Sequence, residues 1–167
     1  MFLKRVLIAL IALLFCINTA NAHSPNVEYK FGDLVISNPV INEPLTSSKV
    51  TAGYMKIRNL GTKDEYLIDA FSDIAQSVMI HNMVVRDGAM KMVHMKNGLK
   101  IPAGKEVILK RGSYHIMFEK LNNNNIKAGE KVKVGLKFSN LGVVTIDFDV
   151  RTNKRQHNKN HKHHHHH

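Results

Sequence analysis

Between residues 27 and 150 the chain is cut into short apolar runs by glycine-bearing turn signals. They are Asn59-Leu60-Gly61, Arg86-Asp87-Gly88, Lys96-Asn97-Gly98, Pro102-Ala103-Gly104, Lys127-Ala128-Gly129 and Asn140-Leu141-Gly142. No convincing helical stretch lies between them. The runs are rich in β-branched residues and predict strands over 34–41, 50–59, 65–71, 78–85, 107–110, 131–138 and 143–150. In 50–59 side chains alternate, with Ala52, Tyr54, Lys56 and Arg58 on one face and Met55 and Ile57 on the other. Strands at this spacing imply an all-β fold, an antiparallel sandwich or barrel of one domain. Residues 122–125 read as a polar loop.

Both ends stand apart from that pattern. Residues 1–22 have the form of a secretory leader: Lys4 and Arg5, an apolar run over 6–17, then Ala20-Asn21-Ala22 at the expected cleavage position. The run falls short of the roughly 20 residues that a membrane helix needs, so no stable membrane insertion is expected. Cys16 raises a lipid-anchor reading, but bulky Phe15 precedes it where a small residue is wanted. Cleavage after Ala22 is the expectation, giving an exported domain over 23–150. Residues 151–167, RTNKRQHNKNHKHHHHH, contain no aliphatic side chain and predict a disordered His-rich tail. Native to the protein, such a tail would hold Cu(II), Zn or Ni loosely; as a purification tag it would have no function.

Cleavage would remove the only cysteine, Cys16. The exported domain then has no disulfide and must rely on its core, for which roughly 130 residues suffice. A blue-copper electron-transfer centre is excluded, because it needs a thiolate ligand. The net charge of +11 suits a solvated surface facing an acidic partner or an anionic membrane. Nucleic acid is not expected as a partner: no basic-and-aromatic stacking pattern appears, and Trp is absent. No nucleophile, base and orienting group occur as a set, so the chain does not read as an enzyme.

The chemistry is concentrated in residues 81–117, which hold Met83, Met90, Met92, Met95 and Met117 together with His81, His94 and His115. Thioether sulfur and imidazole nitrogen are the donors that soft Cu(I) prefers, whereas hard ions call for carboxylates. If Asp87-Gly88 makes a two-residue type I′ turn, Arg86 pairs with Ala89, His81 with His94 and Met83 with Met92. His81, Met83, Met90, Met92 and His94 then share one face, and Met95 points to the other. His115 and Met117, two apart on an extended segment, project to a common side. His81 and Met92 with His115 and Met117 would make a neutral N2S2 set for one Cu(I). Met55 and Met79 read as core filler. Met83, Met90 and Met95 are either accessory donors or packing, and His94 a surface or hydrogen-bonded residue.

His81, ten residues, Met92 and the closing His115-Ile116-Met117 resemble the signature of the periplasmic copper chaperones of the copper-A-centre assembly type, the PCu(A)C family. The surrounding HNMVVRDGAMKM, IPAGKEVILKRGSYHIMFEKL and IKAGEKVKVGLKF agree with it, over about residues 35–150. One departure stands out: 22 residues separate Met92 from His115, one more than the signature. An extra residue in the Lys96-Asn97-Gly98 turn would leave both ends in place; otherwise a neighbouring methionine supplies the second sulfur. The resemblance implies a cupredoxin-like Greek-key β-sandwich and a periplasmic, monomeric carrier of Cu(I). It also implies delivery to the copper-A subunit of cytochrome oxidase, directly or through a thiol-bearing assembly factor. Two readings compete with it. A metal-sequestering or copper-resistance protein would store ions on the tail, and an oxidative copper enzyme would chelate Cu(II) through a mature N-terminal His23.

Overall fold

The computed structural model describes residues 27–122 and 126–153 and is all-β. The strands are β1 (Glu28–Phe31), β2 (Leu34–Asn42), β3 (Val50–Asn59), β4 (Glu65–Phe71), β5 (Ala75–Arg86), β6 (Ala89–His94), β7 (Leu99–Ile101), β8 (Glu106–Leu109), β9 (His115–Leu121), β10 (Lys131–Phe138) and β11 (Gly142–Arg151). The leader 1–22, His23, part of the 122–125 loop and the tail beyond Asn153 lie outside the described residues. No helix among the described residues is long and apolar enough to cross a membrane.

The strands form one hydrogen-bonded path, β6-β5-β9-β3-β2-β11-β10-β4-β7, with β1 added to β2 and β8 to β3. Neighbours are mostly non-consecutive, the crossover connectivity of a Greek key. The path folds over on itself, so the core draws on Ile36, Met55, Ile57, Leu67, Ile116, Phe118, Leu136, Phe138 and Phe148 from strands far apart in sequence. This is the cupredoxin-like sandwich. Each wholly buried phenylalanine of that set contributes roughly 1.5–3 kcal/mol by leaving water.

β3 alternates as its sequence requires: Met55 and Ile57 are buried, while Lys56 and Arg58 face outward. A corner is fixed beside it by buried Asn59. Its side-chain amide donates to the carbonyls of Lys63 (2.8 Å) and Ile101 (3.1 Å), and its Oδ1 accepts from Gly61 N–H. Three differences from the sequence expectation matter. β1 and β7 are strands too short to read beforehand. β5 starts at Ala75 rather than at 78. β11 runs to Arg151, one residue beyond the domain boundary drawn at 150, because Arg151 still pairs with Asn42.

Candidate metal centre

The β5–β6 hairpin turns at Asp87-Gly88, whose φ angles of 54° and 72° are both positive, as a type I′ turn demands. Its register therefore pairs Arg86 with Ala89, Met83 with Met92 and His81 with His94. On its other side β5 pairs with β9, placing Met79 opposite Met117 and His81 opposite His115. His81 thus sits in the middle of a row of three imidazoles running across β6, β5 and β9. Its ring centroid is 5.7 Å from that of His94, edge-on, and 5.7 Å from that of His115, tilted by 60°.

Ile80 and Ile116 point into the core, so the odd-numbered residues beside them face the opposite surface. One sheet face therefore carries Met83 and Met92 in one row and the three histidines in the next. Met79, Met117 and Ala52 of β3 form the row beyond. All four residues expected to hold metal lie on this face. His81 and His115 are buried, Met117 is half-buried, and Met92 is 46% exposed at the rim.

The nitrogens are arranged for lone-pair donation. His115 Nδ1 lies 3.0 Å from the Ser113 carbonyl oxygen. A carbonyl can only accept, so Nδ1 carries the proton and Nε2 presents a lone pair, the second-sphere device that orients metal-bound histidines. Among the described residues His81 Nδ1 is the buried side-chain N or O atom with no hydrogen-bond partner, which is costly unless something else satisfies it. Among those residues no group of three His, Cys, Asp or Glu side chains is placed to hold a metal ion. The same face supplies thioether sulfur beside the two buried imidazoles.

The LpqE-like family model, described as "Putative lipoprotein LpqE-like", matches residues 34–150. The chain belongs to the LpqE-like family. It is 36% identical over 92 residues to "Putative lipoprotein Lxx21020" of Leifsonia xyli subsp. xyli (strain CTCB07), a match covering 55% of each protein. The chain thus matches about half the length of that curated relative. The copper-bound PCuAC domain from PmoF2 has a similar fold: TM-score 0.64, 24% identity, 76% of this chain and 99% of that one. The Cu(I)-bound solution structure of DR1885 from Deinococcus radiodurans shares it at TM-score 0.56, with 25% identity over 79% of this chain and 84% of that one. The resemblance to the PCu(A)C proteins and the all-β fold therefore hold.

In this LpqE-like domain one residue of the face escaped the sequence reading. Met79 is not core filler: it stands two residues before His81 on the same side of β5 and opposite Met117. The signal that would have found it is parity with His81. His94 is exposed at the end of β6 and stands beside His81, as the hairpin register requires. Met55 is core, as expected, and Met95, open in the sequence between donor and packing, packs against the core.

Electrostatics keep His81 neutral. Its pKa is lowered from 6.5, first by burial, then by repulsion from His115 and His94; Glu119 opposes these effects. A neutral imidazole is the form that binds a metal.

Proposed function

We propose that this protein is a periplasmic Cu(I) carrier. It takes one Cu(I) as cargo at His81, Met92, His115 and Met117 and passes it to an acceptor, the copper-A subunit of cytochrome oxidase or a thiol-bearing assembly factor. The observation that carries the reading is the His81–His115 pair. Two buried imidazoles face each other, one with its tautomer set by Ser113 and the other with an unsatisfied buried nitrogen, beside a methionine-rich rim. Copper-bound relatives of the same fold support it. Neutral donors suit a singly charged soft ion, and thioethers exchange without proton transfer, which suits handover rather than structural retention. The half-exposed Met92 places one donor where an acceptor's ligand can displace it.

X-ray absorption of the Cu(I)-loaded protein tests the ligand set: two nitrogens and two sulfurs are expected, and a shell of nitrogen alone would reject it. A sequestering protein that stores ions on its His-rich tail is the second reading; more than one Cu(I) retained per chain in the presence of an acceptor would favour it. The lipoprotein names of the family and its relative bear on location. A mature mass beginning at His23 supports a free periplasmic protein, and a lipid-modified Cys16 an anchored one.

A further inference from the structure

β11 delivers the end of the chain to the candidate centre. Arg151 pairs with Asn42, and its carbonyl accepts from Glu43 N–H at 2.8 Å. Two residues later Asn153 Oδ1 accepts from the Arg111 guanidinium at 3.3 Å, within the turn that leads into His115. Asn153 and Arg111 line a groove of about 250 Å³ together with Thr51, Ala52, Tyr54 and Met117. Met117 is thus both a neighbour of His81 and His115 on the sheet and a wall of this groove. The root of the tail lies on the other side of the same space.

Beyond Asn153 the sequence continues KRQHNKNHKHHHHH, which bears cations but no acid. The groove wall itself carries one charged side chain, Arg111, and two carboxylates adjoin its lining residues. Glu119 follows Met117 on the same side of β9 and pairs with the groove residue Val50, and Glu43 adjoins the carbonyl of Arg151. His157 lies four residues past Asn153, a reach of up to roughly 14 Å in extended chain. A tether that short sets an effective concentration on the order of millimolar.

We propose that the groove seats the chain's own residues 154–167, and that from it the tail histidines pass Cu(I) to the Met117 side of the centre. The inference rests on the carrier reading above. The step is a ligand exchange: tail imidazoles leave the ion as Met117 sulfur and the core imidazoles replace them. Copper stays Cu(I), and no reductant is needed.

The test compares the full mature chain with one ending at Asn153, both carrying ¹³C-methyl methionine, with Cu(I) supplied from a coloured chelator. Truncation should shift the Thr51 and Ala52 amide signals of the metal-free protein. It should also slow the response of the Met117 methyl at least tenfold, while leaving its final occupancy in excess Cu(I) unchanged. Arg111→Ala, which frees the root of the tail, should move both readouts the same way. Identical groove signals and identical loading rates, with Met117 still responding, would overturn the tail proposal and leave the carrier intact. A Met117 methyl silent to Cu(I) in both chains would remove the carrier reading itself. Groove signals that ignore truncation but move when an acceptor is added would assign the groove to that partner instead, and overturn the proposal.

Discussion

His81 and His115 face each other across β5 and β9 with ring centroids 5.7 Å apart, and both are buried on the sheet surface that lies away from the hydrophobic core. Burial first, and then repulsion from His115 and His94, disfavour charging His81. A surface selected for folding alone would hold apolar residues at these positions.

That pairing sets a pH dependence for the metal-free protein. His81 is lowered below 6.5 by burial first and by its histidine neighbours second. The unfolded chain therefore binds the proton more readily, and stability rises with pH. His81's contribution is complete above pH 6.5 and is lost as pH falls from there through its lowered folded value. NMR titration of the ring should place it below an exposed imidazole. His94→Ala should move it upward, since that change removes both cover and repulsion.

Glu65 makes a second acid-sensitive contribution, remote from the metal face. Burial alone would raise its pKa, but hydrogen bonds from the Ser139 hydroxyl and from the N–H groups of Tyr66, Asn140 and Leu141 outweigh it, and the net shift is downward from 4.5. Its contribution is present above pH 4.5 and is lost as pH falls through the folded value. Glu65→Gln should cost about 2 kcal/mol at pH 7 in urea denaturation. The difference from the parent should shrink toward pH 3.

Gly88 holds the hairpin register at φ 72°. Gly88→Val forces a β-branched residue into the left-handed region at about 1–2 kcal/mol. If Met92 binds the cargo, this distant change should weaken Cu(I) affinity roughly tenfold, because 1.4 kcal/mol is a factor of ten. Faster hydrogen exchange at Val84 and Lys91 would locate the cause in the hairpin.

Gly53 lies where β3 crosses the core. A Cβ there would come within 3.0 Å of the Phe118 ring, 3.4 Å of Phe148 and 3.5 Å of Ile41. Gly53→Ala should therefore overpack the core by roughly 1–3 kcal/mol. Thermal denaturation should show the loss. Because Gly53 is paired with Ile116, between His115 and Met117, Cu(I) affinity should fall as well.

Much of this was legible in the residues. The Asp87-Gly88 pair dictates a turn type, the turn dictates a register, and the register places His81, Met83, Met92 and His94 on one face. β3 was legible because Met55 and Ile57 alternate with Lys56 and Arg58. Met79 was misread because a methionine in an apolar run looks the same whether it faces the core or a metal. Only its parity with buried Ile80 separates the two. β1 and β7 span four and three residues, too few for a period to appear. The meeting of β5 with β9 is a non-local pairing that no local pattern encodes, and with it came the burial of His115.

The most direct test is Cu(I) competition against a coloured chelator, with the chain ending at Asn153 and its His115→Ala, Met117→Ala double variant. The account predicts tight binding of one Cu(I) by the parent and a loss on the order of a thousandfold, about 4 kcal/mol, in the variant. Weak binding by the parent, or binding that the double change leaves intact, would contradict a centre on the β5–β6–β9 face.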